Sequence, residues 1–523
     1  MEEVVSGSPG VRRFGHRQTT FSVKILVANR GEIAVRILRA CREMGVPSVA
    51  VYSACDRTAL HVGLADEAVA IGASPAAESY LHIERVLEAA RATGATAVHP
   101  GYGFLAENAR FARACGDAGL TFIGPSPEVI ETMGGKTAAR RAAVEAGVPV
   151  VPGTEALPET LTDEALRDCA DEIGYPLFIK AVAGGGGRGM RRVADRAGVV
   201  AGVAAARSEA GAAFGESTVY FERLVERARH VEVQVLGDGH GVVVPFVERE
   251  CSIQRRHQKV IEESPSVAVT PAIRAALAEA AVALSTAVSY ASAGTLEFLL
   301  DAAGHVYFLE MNTRLQVEHP VTELVTGIDL VQWQIRIARG EPLTVDPDRA
   351  LRPEGHAIEC RVYAEDPDAG FIPSPGRITA LRGPSGPGVR DDSGVEAGFD
   401  VPVFYDSMIS KVSTWAPDRA GAIARMRSAL HEYQIGGITT AIPALLWVLE
   451  QPRFLDGAFD TGFLDEVLAA RAGESFSELT TEQTDMAVVA AALSAYLSGP
   501  QTTAATTGPT PWRQAARLDG VRR

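Results

Sequence analysis

Gly294-Thr-Leu-Glu-Phe-Leu-Leu-Asp-Ala-Ala-Gly-His-Val-Tyr-Phe-Leu-Glu-Met-Asn-Thr-Arg-Leu-Gln-Val-Glu-His-Pro320 contains two short apolar runs around a glycine-bearing turn. That pattern predicts a β-hairpin. With the turn centred on Ala303 and Gly304, Glu297 falls directly opposite Glu310. Like charges directly opposite destabilise a sheet, so something should neutralise them. A hard divalent cation held by one or two carboxylates and by substrate phosphates does this in nucleotide enzymes. Asn312 lies on the same face and offers a further oxygen. If the extension continues, Arg314, Gln316 and Glu318 join that face, because side chains alternate along a strand. Met311, Leu315 and Val317 then turn inwards. A solvated edge strand is the plainer alternative, and the acidic pair weighs against it.

Upstream, Leu177-Phe-Ile-Lys-Ala-Val-Ala-Gly-Gly-Gly-Gly-Arg-Gly-Met190 reads as an apolar strand, a lysine and a glycine loop. Glycine lets backbone N–H groups approach a phosphate closely. Gly184, Gly186 and Gly189 formally satisfy G-x-G-x-x-G. The dinucleotide version needs a helix straight after it and an acid about twenty residues on. Here Met190-Arg-Arg-Val193 looks like a return strand, so the expectation is a flap over phosphates, with a plain surface linker as the alternative. Gly134-Gly-Lys-Thr137 is a decoy. A P-loop needs a glycine five positions before Gly135, where Ile130 stands. Lys136 can still touch phosphate. Phe221-Glu-Arg-Leu-Val225 ends a strand whose backbone edge can meet a base. Arg249 to Lys259 holds a basic cluster suited to an anion, and Cys251 within it reads as packing.

The 523 residues are 46% hydrophobic and 22% charged, enough for three or four globular domains. Strand and helix patterns alternate, which predicts an α/β class. The net charge of −15 argues against nucleic-acid binding. Cys41, Cys55, Cys115, Cys169, Cys251 and Cys360 show neither a C-x-x-C pair nor regular spacing, as in a reducing cytoplasm. No apolar stretch is long enough to span a membrane. Val23 to Ala28, the amphipathic stretch Gly31 to Met44 and Val49 to Tyr52 open the chain as a βαβ unit. An Ala-rich helix is expected near residues 482–497.

Together these segments resemble the biotin carboxylase family of the ATP-grasp superfamily, from about Lys24 to Asp465. The carriers are Ala28-Asn-Arg-Gly-Glu-Ile-Ala34, His99-Pro-Gly-Tyr-Gly-Phe104, the Lys180 to Met190 flap, Arg255-Arg-His-Gln-Lys259, Glu310 to Pro320 and Glu359-Cys-Arg-Val-Tyr-Ala-Glu-Asp366. The resemblance implies a flexible extension at 1–21 and a Rossmann-like N-terminal domain at 22–135. It further implies an ATP-grasp domain at 136–352 with a lid at about 153–224, an α+β C-terminal domain at 353–470 and a helical tail and linker at 471–523. It implies ATP contacts from Lys136, Lys180, Gly184, Gly185, Gly186, Gly187, Met190, Glu222, Leu224, Val225, His230, Gln254, His257 and Ile438, the last as an apolar wall for adenine. Glu297, Glu310 and Asn312 match the Mg²⁺ site, with Mn²⁺ as an alternative ion. Lys259, Arg314, Gln316, Val317 and Glu318 match a bicarbonate site, with Glu318 as general base. Arg361 matches the arginine that stabilises the biotin enolate.

Two departures are noted: Ala183, where many relatives have glycine, and Ser410. None of the eight methionines has a neighbouring lysine, so no Met-Lys-Met biotinylation motif occurs here. The resemblance therefore implies a cytoplasmic homodimer working with a separate biotin carboxyl carrier protein and a carboxyltransferase, on an acetyl-, propionyl- or other acyl-CoA. The same half-reaction serving pyruvate carboxylase is one rival. A non-catalytic ATP-binding scaffold and a nicotinamide-dependent oxidoreductase are others.

Overall fold

Alternation between strand and helix in the first hundred residues yields a five-stranded parallel sheet. The computed structural model describes residues 23–182, 190–471, 473–476 and 481–498. The strand order is Glu67–Gly72, Ser48–Ser53, Ile25–Val27, Ala97–His99, Thr121–Phe122, and every pairing is parallel. The helix Gly31–Glu43 follows the first strand and buries Ile33, Ile37 and Cys41 at four-residue spacing. Gly45, at φ +64°, turns the chain out of it. In such sheets the crevice where strand order reverses is the usual nucleotide site. Here that crevice is filled. Asn29 Nδ2 donates to the carbonyls of Pro100 and Tyr102 at 2.7 Å each. Gly394 lies so close to the start of the helix that a Cβ on it would come within 2.5 Å of Glu32 N. No pyrophosphate fits at this helix N-terminus, which removes the structural basis for the oxidoreductase reading.

A nine-stranded sheet forms the centre. Its order is Val306–Asn312, Ser292–Leu300, Arg229–Gly237, Arg249–Arg255, Gln258–Ser264, His356–Tyr363, Met408–Ala416, Val389–Ser393, with Val243–Pro245 beside Arg229–Gly237. All neighbours are antiparallel. The sheet continues unbroken across residues 352–353. Alternation along His356–Tyr363 sends Ile358, Cys360 and Val362 into a core with the helices Arg419–Glu432, Ile442–Val448 and Phe463–Ala470. Glu359 and Arg361 therefore face the other way. At the far end, Leu296, Phe298 and Val233 pack beneath the helices Lys136–Glu145 and Pro271–Ala287.

The hairpin forms as expected, with one adjustment. Phe298 pairs with Phe308 and Leu300 with Val306, so the loop Asp301–His305 centres on Ala303 alone. A bulge at Leu309 then shifts the register by one, and Glu297 pairs with Glu310. The strand ends at Asn312. Residues 313–318 are irregular and lead into the helix His319–Thr326. The expected alternation therefore stops two residues short of Arg314.

A three-stranded antiparallel sheet, Met190–Val193, Leu177–Ala181, Val219–Arg223, carries its own core with the helices Asp163–Ile173 and Val199–Phe214. Met190–Val193 is thus the return strand that the sequence predicts. Gly134 ends one helix and Lys136 begins the next, so this junction has no strand before it and is no P-loop. Residues 474–523 form a separate unit whose described element is the helix Thr481–Ser498. Among the described residues no helix is long and apolar enough to cross a membrane.

Candidate active site

The three-stranded sheet and the first five strands of the central sheet flank a cleft of about 540 Å³. Its polar end is organised by Lys259. The ammonium donates to Glu232 Oε2 at 2.6 Å, Glu318 Oε1 at 2.7 Å and Glu297 Oε1 at 2.8 Å. These carboxylates come from a strand, a loop and another strand, and all three are buried. Burial opposes the Lys259 charge, but the three carboxylates outweigh it and hold the ammonium well above its ordinary pKa. Breaking one partner of a buried pair costs about 3–5 kcal/mol, so losing Lys259 would be felt by the whole cluster. Arg249, fully buried, closes the far side by donating Nε to Glu232 at 2.5 Å and Nη2 to Thr295 at 3.1 Å.

Glu318 is the residue from which the helix His319–Thr326 starts. The chain before it is pinned by Lys411, whose Nζ donates to the Val317 carbonyl at 2.6 Å. The other end of the 313–318 segment is held by Glu107, which accepts from Thr313 N and from Arg314 Nε at 2.9 Å each. Arg361 Nη2 donates to Glu318 Oε2 at 3.0 Å. Burial would raise the Glu318 carboxyl. Lys259, Arg361 and Arg249 reverse that and hold it well below the ordinary carboxylate range. Arg314 Nη2 donates to Asn312 Oδ1 at 3.0 Å and Nη1 to Gln316 Oε1 at 2.5 Å. Arg314, Gln316, Val317 and Glu318 all line the cleft, although a loop and not a strand delivers them.

The acidic pair splits electrostatically. Burial pushes Glu297 up, but Lys259 and His230 draw it below the ordinary range. Enclosure and the Glu297 charge push Glu310 up against the pull of Lys136. Glu310 accepts no hydrogen bond from the described residues. Two facing carboxylates and the Asn312 amide make an oxygen donor set that fits Mg²⁺.

At the opposite end, Lys180 pairs with Glu222 across the small sheet. Lys136 stands at a helix start nearby, its pKa lowered first by burial and then by Lys180, against Glu310. Met190, Leu224, Val225, His230, Gln254 and His257 line the same wall. Gln254 Nε2 lies 3.0 Å from His230 Nδ1. Gly184 to Gly187 fall outside the described residues. Ile438 is the one expected contact placed elsewhere. It packs against the core under the helix Arg419–Glu432, close to Gly376, and does not line the cleft. Thr461 and Gly462 line it instead, because Thr461 N bonds the Ala228 carbonyl at 3.0 Å and draws that segment in. Sequence reasoning also passed over Phe178, Tyr220, Leu299 and Phe308 in the apolar wall, and Glu232, Arg249 and Glu107 behind the charged end. Strand alternation marks Tyr220 with Glu222 and Phe178 with Lys180; nothing local marks Glu107.

Comparison with known proteins places this geometry in a family. Residues 22–130 match the biotin carboxylase N-terminal domain, 135–345 the carbamoyl-phosphate synthase L chain ATP-binding domain, and 359–466 the biotin carboxylase C-terminal domain. The biotin carboxylase of Nostoc sp. is 54% identical over 444 residues, covering 85% of this chain and 99% of that one. The chain belongs to the biotin carboxylase family. The propionyl-CoA carboxylase alpha chain of Ruegeria pomeroyi is 48% identical over 492 residues, covering 90% of this chain and 71% of that one. Among solved structures, the biotin carboxylase domain dimer of Hydrogenobacter thermophilus 2-oxoglutarate carboxylase, in complex with MgADP, ADP and bicarbonate, superposes with TM-score 0.82. It is 46% identical and covers 87% of this chain and 99% of that one.

Proposed function

We propose that this biotin carboxylase uses ATP and bicarbonate to carboxylate biotin held on a separate carrier protein, releasing ADP and phosphate. The observation that carries the reading is the convergence of Lys259, Arg314, Glu318 and Arg361 beside the Glu297–Glu310 pair in one cleft. Bicarbonate is a poor electrophile and must first be activated as carboxyphosphate. Glu318 takes its proton, and the resulting dianion attacks the γ-phosphorus of ATP. In the ligand-free arrangement Glu318 is too well stabilised to be a strong base. An incoming anion competes for Lys259 and Arg361 and thereby returns basicity to it. Lys180, Lys136 and Arg314 neutralise the transferring phosphoryl group. Glu297, Glu310 and Asn312 would hold Mg²⁺, which supplies charge neutralisation and orientation to the phosphates. Arg361 stabilises the enolate of the biotin ureido group as an electrostatic residue, since a guanidinium stays charged. Leu224 and Val225 present the backbone edge that reads adenine, with Thr461 and Gly462 opposite in place of Ile438.

We further propose a homodimer that serves an acyl-CoA carboxylase through a carrier and a carboxyltransferase subunit. The propionyl-CoA carboxylase relative matches 90% of this chain, against 85% for the Nostoc relative, and this favours the acyl-CoA side. The test is ATP cleavage with free biotin, with and without bicarbonate. Cleavage should require bicarbonate and rise with biotin. Cleavage indifferent to both would refute the reading.

A further inference from the structure

Glu262 lies on the strand Gln258–Ser264, three residues after Lys259, and does not line the cleft. It is completely buried, as is Glu359, which stands directly opposite it on the next strand. Two buried carboxyls in register are a costly arrangement. Arg361 is the cation that meets them. Its Nε donates to Glu262 Oε1 at 2.6 Å, while its Nη2 donates to Glu318 Oε2 at 3.0 Å. The guanidinium is thus strung between a carboxyl behind it and the proposed base in front. A planar guanidinium fixed through Nε cannot rotate about its last bond without breaking that contact.

We propose that Glu262 is a positioning residue for the carboxylation of biotin: its Oε1 fixes the plane of Arg361 and keeps the guanidinium from collapsing onto Glu318. Without this acceptor, Glu318 is the nearest remaining carboxylate, and Arg361 would turn onto it and away from the biotin side of the cleft. The role is that of an acceptor and does not depend on charge. Glu262 Oε2 and Glu359 Oε1, on residues directly opposite each other, accept no hydrogen bond. A proton held on Glu262 Oε2 leaves Oε1 free to accept from Arg361.

The inference rests on the biotin carboxylase reading, and the test separates the two. In the wild type, ATP cleavage is measured with bicarbonate alone and then with added biotin; failure there refutes the parent reading. Glu262→Met removes the acceptor at similar volume and relieves the like-charge pair. It should lower biotin stimulation about 10- to 100-fold, the scale of losing an outer hydrogen-bond partner of a functional group. Bicarbonate-dependent cleavage without biotin should stay within about threefold and MgADP affinity should be unchanged, since neither uses Arg361 orientation. Glu262→Gln retains a carbonyl acceptor and should restore stimulation to within about threefold of wild type. Stimulation kept by Glu262→Met, or lost equally in Glu262→Gln, overturns the proposal. So does a joint loss of MgADP binding and cleavage. If Glu262→Met does not fold, Glu262→Leu in the Arg361→Gln background decides: acting through Arg361 requires no further loss there, and an additive loss overturns it.

Discussion

Glu318 sits where three cations converge, and its two oxygens are already taken by Lys259 and Arg361. A base so placed is ionised at every pH the fold survives, and its reactivity depends on how an incoming anion redistributes those cations. Glu318→Gln keeps size and one acceptor while removing the base. Turnover should fall by about 10²–10⁴-fold, the usual scale of general-base loss. The MgADP dissociation constant, measured by calorimetry, should remain close to wild type. A collapse of nucleotide affinity would instead make Glu318 a structural or metal-binding carboxylate. At this scale the sequence was informative where chemistry repeats along one strand or one loop, as in Glu297, Glu310 and the residues 312–318. It was uninformative where a contact crosses strands. Glu232, Arg249 and Glu262 complete the cluster from neighbouring strands, and no spacing within any one segment announces them. Ile438 shows the converse failure. An isoleucine beside a glycine turn suits an adenine wall and suits a hydrophobic core equally well, and its packing under Arg419–Glu432 is a tertiary fact.

The small sheet Met190–Val193, Leu177–Ala181, Val219–Arg223 has a core of its own, built from Leu166, Ile179, Val203 and Phe221 among others. It meets the cleft through Phe178, Lys180, Tyr220 and Glu222, all on its cleft-facing side. An element with an independent core and a charged face toward phosphates is built to move as a body. Nucleotide should draw Lys180 away from Glu222 and bring the sheet down over the cleft, excluding water from a hydrolysable intermediate. Amide hydrogen exchange should therefore slow in Leu177–Ala181 and Val219–Arg223 when a non-hydrolysable ATP analogue is added. Equal exchange with and without the analogue would count against a lid. The strand–glycines–strand pattern was legible because an apolar run and a return strand are local features. The hairpin was legible for the same reason, although the bulge at Leu309 that brings Glu297 opposite Glu310 was not. Bulges answer to the partner strand and leave no composition of their own.

Across the whole molecule, periodicity foretold α/β layers, and the motif blocks foretold which layers. It could not foretell that one antiparallel sheet runs from Val306–Asn312 through to Val389–Ser393, because strand order is set by pairings between distant segments. That continuity leaves many titratable groups in the interior, and they give the molecule a definite pH profile. Burial drives His61 down to about 4 and His99 to about 3, and holds His319 well below its ordinary value. His61 shows why: Nε2 lies 3.2 Å from the Val51 carbonyl, and Nδ1 is buried with no partner for a proton. As pH falls below 6.5 the unfolded chain protonates these histidines and the fold does not, so stability falls toward pH 4. Burial acts oppositely on carboxyls, pushing Glu32 and Glu359 up to about 7 and Glu262 to about 8. The fold keeps those protons above 4.5, where the unfolded chain has released them. Stability from this source is therefore lost as pH rises from 4.5 through about 8. Above 6.5 only the carboxyls act. Below 4.5 the histidines are joined by carboxylates held low by neighbouring cations, Glu318 and Asp392 among them. Maximum stability should therefore fall between 4.5 and 6.5. Urea midpoints measured from about pH 4 to about pH 9 should show it. Glu32→Gln, which mimics the protonated carboxyl, should flatten the decline above 6.5 without altering the acid limb. A midpoint that climbs steadily from 6.5 to 8 would mean that the buried carboxyls are ionised in the fold.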